Sequence, residues 1–287
     1  MKPSQFQGSL VTSNRILYTP SDFAKTNLLH LQEIGKLRAQ KPHTSSRDGL
    51  NSYLFFVVLD GSGTLNYDGV AYTLEANSCV FIDCQKSYSH CSSEKLWTLQ
   101  WVHFYGPNMK AIYQKYQERG GNPTFTTTQI SEYCHTLEEL FTCASSASYV
   151  KDMKICEKLT TLLTLLMEDS WSSEKYNNEN PAGKRNLQDL KEYLDIHFSE
   201  KITLDFLAER FYINNYYLTS IFIEQFGISV NQYLLQLRIT HAKQLLRFST
   251  HSIEEIAVLC GIHDANYFAR TFKKVEGITP GEFRRSW

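Results

Sequence analysis

The stretch SIEEIAVLCGIHDANYFARTFKKVEGITPGEF (residues 252–283) decides how the C-terminal part of this chain folds. Ser252 is followed three residues later by Glu255, which is the pattern of a helix capping box. Gly261 supplies the turn, because glycine adopts left-handed conformations without a steric penalty, and a second helix is predicted to begin at Asp264. The inner face of that helix carries three aromatic residues, Tyr267, Phe268 and Phe272. The pattern predicts a helix-turn-helix unit.

The predicted outer face of the second helix is polar and basic. Residues 230–287 hold eight basic and five acidic residues, although the full chain of 287 residues has a net charge of −1. An exposed, basic second helix can enter the major groove of double-stranded DNA, whereas a charged run on a helix is often no more than a solvated face. We expect the DNA contacts of this unit to come from His263, Asp264, Asn266, Arg270, Lys273 and Lys274.

A second copy of the pattern lies upstream, in TLDFLAERFYINNYYLTSIFIEQFGISVNQYL (residues 203–234). Its apolar positions match those of residues 252–283 at an offset of 49 before the turn and 50 after it. The two copies therefore differ in length by one residue, which lies in the turn between the helices. Between the two copies, residues 230–247 predict one amphipathic helix capped by Ser229. Such a helix would hold the two units about one turn of DNA apart.

The outward side of the upstream unit has few long cations. Its candidate DNA contacts are polar or aromatic instead: Asn214, Asn215, Tyr216, Thr219 and Ser220. We therefore expect this unit to read DNA through hydroxyl, amide and apolar groups, with weaker electrostatic anchoring to the phosphates.

The segment DANYFARTFKKVEGITPGEFRR (264–285), preceded by SIEEIAVLCGI, resembles the signature of the AraC/XylS family of transcriptional regulators. The resemblance implies an all-α DNA-binding domain of two helix-turn-helix units joined by a long helix. It places Arg270 at base edges, and Lys273 and Lys274 on the side that faces phosphates. The family commonly has a basic residue where Ser220 stands, so the upstream unit departs from the pattern. The resemblance also makes RNA polymerase a candidate partner.

The N-terminal half alternates β-type segments with turns over residues 50–105. Aromatic and β-branched runs separated by turn residues predict short strands, and Asp68-Gly69 predicts a two-residue hairpin turn. The predicted strands are YLFFVVL (53–59), the two arms of TLNYDGVAYTL (64–74), CVFID (79–83) and LWTLQWVHFY (96–105). Short strands at this spacing are typical of a β-sandwich or barrel.

A change of hydrophobic period predicts two helices over residues 130–170, with a break at 144–148. The segment WSSEKYNNENPAGK (171–184) is polar and has no apolar period, so we interpret it as a linker. The chain is therefore predicted to be a multidomain α+β protein. A β-barrel with a helical hairpin spans residues 1–170, and an all-α domain of two helix-turn-helix units spans residues 185–287.

The segment GSGTLNYDGVAYTLEANSCVFID (61–83) is similar to the cupin-type effector-binding domain that many AraC/XylS regulators carry. This likeness implies a small-molecule effector in a cupin-like barrel and a homodimer, with residues 5–20 as a lid. The contacts it implies at the barrel mouth are Arg47, Tyr53, Tyr88, His90, Trp97 and Trp101. Tryptophan faces and an arginine fork suit a carbohydrate, although other small polar ligands suit such a site equally and the tryptophans can also serve as core packing.

A metal centre is not expected. Cupin metal sites use closely spaced histidines with a glutamate and a later histidine, whereas residues 61–83 contain no histidine. We therefore predict no cofactor and no enzymatic activity. Three alternatives stay open: a cupin enzyme fused to a DNA-binding tail, a regulator whose N-terminal domain only dimerises, and an interaction module. The last would use the leucine-rich face from Ile155 to Leu166, which is also a candidate dimer seam.

The composition is typical of a cytoplasmic protein. Hydrophobic residues make up 42% and charged residues 21%, which excludes fibrous and wholly disordered classes. The seven cysteines form no CxxC pair, which favours a reducing compartment over a disulfide framework. The sequence has no run of 18 apolar residues, so no membrane span is predicted. The N-terminal segment lacks the apolar core of a secretory signal.

Overall fold

The computed structural model describes residues 4–7, 10–171 and 181–286. The contacts within the chain divide it into two units, Met1–Ser173 and Glu174–Trp287. Among the described residues, no helix is both long enough and apolar enough to cross a lipid bilayer.

In the first unit, most of the strands precede most of the helices. Its strands are β1 (Ser4–Gln7), β2 (Val11–Leu17), β3 (His30–Ala39), β4 (Thr44–Arg47), β5 (Tyr53–Asp60), β6 (Ser62–Tyr67), β7 (Val70–Glu75), β8 (Ser78–Asp83), β9 (Tyr88–Ser92), β10 (Thr98–Tyr105) and β11 (Thr124–Thr126). Its helices are α1 (Asp22–Asn27), α2 (Met109–Glu118), α3 (Ile130–Ser145) and α4 (Lys151–Trp171). The prediction of a β-rich domain with a helical hairpin is confirmed.

The strands form two antiparallel sheets rather than a closed barrel. The larger sheet has the order β1-β2-β3-β10-β5-β8-β11, and the smaller has the order β4-β9-β6-β7. The chain passes from one sheet to the other at Gly61, which has a φ of +80°. A Cβ at Gly61 would collide with the carbonyl oxygen of Leu96, so only glycine fits this crossing. The crossing sends the hairpin β6–β7 into the smaller sheet beside β9 instead of beside β5.

Strand β5 explains why the run YLFFVVL is apolar throughout. Successive side chains of a strand point to opposite faces of the sheet, and both faces of β5 are covered. Tyr53 and Phe55 pack into the core that the larger sheet shares with the helices. Leu54 and Phe56 pack into a second core between the two sheets.

The hairpin turn and the helical hairpin both match their predictions. Asp68 and Gly69 have φ values of 51° and 79°, as a two-residue turn with positive φ at both positions requires. Helices α3 and α4 are separated at residues 146–150, close to the predicted break. The leucine-rich face of α4, however, is not available as a dimer seam. Its predicted stripe is buried in this domain's own core: Ile155, Leu159, Leu162, Leu163 and Leu166.

The second unit is helical throughout its described residues, 181–286. Its helices are α5 (Pro181–His197), α6 (Leu204–Arg210), α7 (Asn215–Phe226), α8 (Val230–Phe248), α9 (Ile253–Leu259), α10 (Ala265–Glu276) and α11 (Pro280–Arg285). Residues 172–180 of the predicted linker lie outside the described residues. Because α5 begins at Pro181, the last residues of that predicted linker are helical.

Helix α8 joins two small cores. Its N-terminal half contributes Val230 and Leu234 to a core with α5, α6 and α7. Its C-terminal half contributes Ile239, Ala242 and Leu246 to a core with α9, α10 and α11. One continuous helix thus carries both helix-turn-helix units, α6–α7 and α9–α10, as predicted.

The capping signals in the sequence are also realised. Reciprocal capping boxes form at Ser229 with Gln232 and at Ser252 with Glu255. A third, which the sequence reading did not single out, forms at Thr279 and begins α11. These caps satisfy backbone N–H groups that the first turn of a helix leaves without partners.

Candidate nucleic-acid interface and effector cavity

Helix α10 is fixed by its cap and by its inner face. The Asp264 carboxylate accepts a hydrogen bond from the backbone N–H of Tyr267 at 2.9 Å, which anchors the first turn. Phe268, Thr271 and Phe272 are buried against α9 and α11. Gly277 ends the helix with a φ of +81°. The two ends and the buried stripe therefore fix which side of α10 faces outward.

The outward side of α10 carries most of the predicted DNA contacts. Asn266, Arg270, Lys273 and Lys274 lie on the helix and are exposed, as are His263 and the cap residue Asp264 just before it. Within the part of the chain that the structure describes, Arg270 and Lys274 form no ion pair, so their charges are available to a partner. Tyr267 was predicted to pack in the core, but 52% of its surface is exposed. It lies beside Arg270, one position away from the buried stripe, because aromatic character alone does not fix the helical phase.

Helix α7 presents a different surface. The Asn214 side chain caps the helix by accepting from the Tyr216 N–H at 2.8 Å, and the Asn215 amide donates to the Asp205 carboxylate. The Thr219 hydroxyl donates to the Asn215 carbonyl oxygen at 2.9 Å. These three predicted contacts therefore have their polar groups engaged within the domain. Tyr216, which is 85% exposed, and Ser220, also exposed, remain outward.

The turn between the helices of each unit uses a left-handed residue. Gly261 has a φ of 73°, and Tyr212 has a φ of 53° at the matching position of the upstream unit. A Cβ at Gly261 would collide with the carbonyl oxygen of Ser199, whereas the Tyr212 side chain is 94% exposed. Tyr212 was not among the predicted residues, although the offset of 49 that defines the repeat places it opposite Gly261.

In the first unit, a cavity of about 260 Å³ opens between the two sheets. Its walls come from alternate residues of β2, β3, β5, β9 and β10, since only one face of each strand points between the sheets. Apolar side chains supply part of the wall: Leu37, Leu54, Phe56, Leu99 and Trp101. Gly35 makes room for the indole of Trp101, because a Cβ there would lie 2.6 Å from Trp101 Cη2.

Four of the six predicted ligand contacts line this cavity. They are Arg47, Tyr88, His90 and Trp101. Tyr53 does not, because the alternation along β5 turns it to the opposite face, into the core beneath the helices. Trp97 does not either: it precedes β10 and is fully buried in the core behind the cavity, with its ring 5.8 Å from that of His90.

Several residues that line the cavity were not predicted as ligand contacts. They are Ser13, Arg15, Glu33, His43 and His103. They come from segments that the chain brings together only through sheet pairing, as in the register of His103 opposite Glu33. The predicted lid, residues 5–20, includes β2, which is paired along its length with β3. That part of the predicted lid is a fixed wall of the cavity.

The histidines of the cavity are in an unusual electrostatic setting. Burial lowers the pKa of His90 and of His103 to about 4, and the charge of Arg47 acts in the same direction. Both rings are therefore neutral at pH 7. His103 Nδ1 lies 3.0 Å from the Ser52 hydroxyl. His90 Nδ1 and Ser13 Oγ, in contrast, are buried with no hydrogen-bond partner among the described residues.

A larger hollow of about 510 Å³ lies between α2 and α4. It contains none of the predicted contacts, and its wall includes Leu163 and Met167 of α4. The smaller cavity is the better candidate for a ligand site, because apolar walls and a few buried polar groups occur together there, as they do in ligand sites. Among the described residues, no group of three or more His, Cys, Asp or Glu side chains is arranged to hold a metal ion.

The two units match different family models. Residues 33–163 match the model described as an AraC-like ligand binding domain, and residues 207–286 match the model described as a helix-turn-helix domain. The first match contains most of both sheets. The second contains both helix-turn-helix units except the first three residues of α6.

Individual relatives cover the C-terminal part of the chain. YijO of Escherichia coli (strain K12), described as an uncharacterized HTH-type transcriptional regulator, is 36% identical over 98 residues, 34% of this chain and 35% of that protein. The HTH-type transcriptional activator RhaR of Yersinia pseudotuberculosis (serotype O:1b) is 46% identical over 68 residues, 24% of this chain and 23% of that protein. The matched region thus spans about a third or less of each curated relative.

A solved structure gives a similar match. The C-terminal domain of the two-component response regulator yesN from Fusobacterium nucleatum is 36% identical, with 36% of this chain and 97% of that chain covered and a TM-score of 0.33. With one family model matched to the sandwich unit and another to the helical unit, the chain belongs to the AraC family of transcriptional regulators.

Proposed function

We propose that this protein is a sequence-specific DNA-binding transcriptional regulator whose DNA binding is modulated by a small effector in the inter-sheet cavity. The observation that carries the proposal is the outward face of α10. Asn266, Arg270 and Lys274 are exposed on a helix whose opposite side is locked into a helix-turn-helix core. Such a helix has the shape and the charge to enter a major groove.

The exposed polar residues at and near α10 have distinct proposed roles. Arg270 reads a base edge, because a guanidinium can donate two parallel hydrogen bonds to guanine. Lys273 and Lys274 neutralise phosphates and so fix the position of the helix without reading sequence. Asn266 and His263, nearer the N-terminal end of the helix, add polar contacts to bases or backbone.

Helix α7 is proposed as a second and weaker reader. Only Tyr216 and Ser220 of its predicted contacts have outward groups that are not engaged within the domain. Two readers on one rigid helix α8 suit a site with two major-groove segments about one helical turn apart.

We propose that the bound effector changes the arrangement of the DNA-binding units and thereby changes their affinity for DNA. Because β2 forms one wall of the cavity, a bound ligand would contact the N-terminal segment directly. A carbohydrate was expected from two tryptophan faces and an arginine, but Trp97 lies outside the cavity. The case for a stacked sugar is therefore reduced to Trp101 and Arg47.

A homodimer, a cytoplasmic location and a contact with RNA polymerase belong to the same proposal. The dimer would use a surface other than the stripe from Ile155 to Leu166, since those side chains fill the core of the domain. Substitution of Leu159 by Asp is therefore expected to unfold the domain rather than to separate subunits.

Selection of genomic DNA fragments by the full chain tests this function. We expect recovery of a site with two segments about 10 base pairs apart, whose affinity falls steeply as salt rises. The selection is carried out twice, once without additions and once with a small-molecule extract of the cells from which the genomic DNA was taken. Recovery of no common sequence under either condition would contradict the proposal.

A further inference from the structure

The inter-sheet cavity gathers basic and imidazole groups from strands that are distant in the sequence. These groups are Arg15, Arg47, His43, His90 and His103. Among the described residues that line the cavity, Glu33 is the one carboxylate, and it forms an ion pair with Arg15 at 3.4 Å. A cavity with this balance favours a negatively charged ligand over a neutral or positive one.

Two residues that line the cavity each have a buried polar atom without a partner among the described residues. His90 Nδ1 and Ser13 Oγ are buried without a hydrogen bond among the described residues. Buried polar groups in native proteins are almost always hydrogen-bonded. Since both residues line the same cavity, from β9 and from β2, a guest between the sheets can supply both missing partners.

We propose that the cavity binds a small organic anion, a carboxylate on a compact apolar or aromatic body. Arg47 at the exposed rim donates to the carboxylate, and His90 and Ser13 donate to it from opposite sheets. The apolar body packs against Phe56 and Trp101. The proposal rests on the proposed role of this cavity as the effector site and adds the chemical class of the effector.

The size of the cavity restricts the ligand. A volume of about 260 Å³ fits one ring with a short side chain better than a long acyl chain. The apolar side chains on the larger sheet, Leu54 and Leu99 among them, leave few polar partners for the several hydroxyls of a sugar. A ligand with a charged group at one end and an apolar body at the other therefore matches the polar and apolar parts of the cavity wall.

Binding of an anion is expected to take up a proton. The groups that face His90 from the surrounding elements are Arg15, Glu33, His43, Arg47, Tyr88 and His103. In the free protein, burial and the Arg47 charge keep the pKa of His90 low. A bound carboxylate favours the protonated ring and raises that pKa. Affinity should therefore rise as pH falls from 8 to about 6, where a carboxylate with a pKa near 4 remains ionised.

The experiment compares acids with their neutral amides by titration calorimetry on the full chain. The probes are phenylacetate and cyclohexanecarboxylate, each beside its amide, with neutral sugars as a further set. At pH 6 we expect each acid to bind about tenfold or more tightly than its amide, because charge-assisted hydrogen bonds are the stronger ones. Titrations in two buffers of different ionisation enthalpy are expected to show proton uptake.

Single-residue variants test which side chains cause the preference for acids over amides and the proton uptake. Arg47→Gln should remove most of the preference for acid over amide, whereas Arg38→Gln, at an exposed arginine outside the cavity, should leave it unchanged. His90→Gln should abolish proton uptake. His90 is partly buried between the sheets, so its variant can fail to fold. The comparison of Arg47→Gln with Arg38→Gln is sufficient by itself to decide the test.

Equal binding of acids and amides, or no binding of either acid at millimolar concentration, would overturn the inference. Tighter binding of amides or sugars would also overturn it, while leaving the cavity as an effector site. DNA-site selection is read independently of these titrations, so a failure of the regulatory function would be seen separately.

Discussion

The two helix-turn-helix units of this chain have equivalent cores and different outward faces. Phe222 and Phe272 occupy matching positions and are both fully buried. Two positions earlier in each helix, Ser220 stands in the upstream unit where Arg270 stands in the downstream one. The contrast indicates that apolar packing maintains the fold of each unit, and we propose that a few outward side chains set how strongly each unit contacts DNA.

The largest expected effect tests the equivalence of the cores. Phe272→Ala and Phe222→Ala should each lower the free energy of unfolding of their unit by about 3–5 kcal/mol, because each leaves a cavity in a small core. Hydrogen exchange of amides in α7 and α10 during urea titration measures the two losses. Phe248→Ala, at a side chain that is 78% exposed, is the control and should change stability by less than about 0.5 kcal/mol. A much smaller loss at one phenylalanine would show that the cores are not equivalent.

The outward faces are compared through Arg270→Ala and Ser220→Ala. Arg270→Ala should cost about 1–3 kcal/mol of DNA affinity and relax specificity at one base position. Ser220→Ala should cost no more than about 0.5 kcal/mol, since a hydroxyl on an exposed helix makes at most one neutral hydrogen bond. Competition binding against single-base variants of the selected site separates the two. An equal loss on every sequence would make Arg270 a phosphate contact instead.

The turns are compared through their left-handed residues. Gly261→Ala should lower the free energy of unfolding by at least about 1–2 kcal/mol, because a side chain disfavours positive φ and the added Cβ collides with the Ser199 carbonyl. Tyr212→Gly should change it by less than about 1 kcal/mol, since relief of strain is offset by added freedom of the unfolded chain. Gly281→Ala is the control, because its Cβ would make no more than an ordinary van der Waals contact, with Arg285 Nη1 at 3.7 Å. Destabilisation by Gly281→Ala as large as that by Gly261→Ala would contradict the argument.

The smallest effect concerns charge alone. Lys274→Gln should reduce the magnitude of the negative slope of log affinity against log salt by about 1. Ile223→Lys, which places a lysine where the downstream unit has Lys273, should increase that magnitude by about 1. Ile223 is exposed, so its replacement should leave the fold intact. Salt titrations of both variants on one site measure the slopes. An unchanged slope for Ile223→Lys would mean that α7 does not approach the phosphates.

Local signals explain what could be predicted from the sequence. The hairpin turn at Asp68-Gly69 and the capping boxes depend on residues within a few positions of one another. The repeat at offsets of 49 and 50 is visible because both copies carry the same local pattern. The apolar run of β5 predicted a buried strand. It did not reveal which face each residue would take, and Tyr53 was consequently placed in the cavity although it lies on the other side of the sheet.

Sheet pairing explains what could not be predicted. His43, His90 and His103 meet at one cavity because β4 pairs with β9 in one sheet, while β10 pairs with β3 and β5 in the other. Nothing in the spacing of these histidines indicates that meeting. The exposure of Tyr267 was missed for a different reason, since an aromatic residue at the edge of an apolar stripe fits either side of the helix.

The most direct test of the central claim is a base-by-base profile of the DNA site bound by the full chain and by its Arg270→Ala variant. We predict two segments about one helical turn apart, with the α10 segment strongly specified and the α7 segment weakly specified. In the variant, specificity should fall at one position of the α10 segment and nowhere else. Two equally specified segments, or a profile that Arg270→Ala leaves unchanged, would contradict the account.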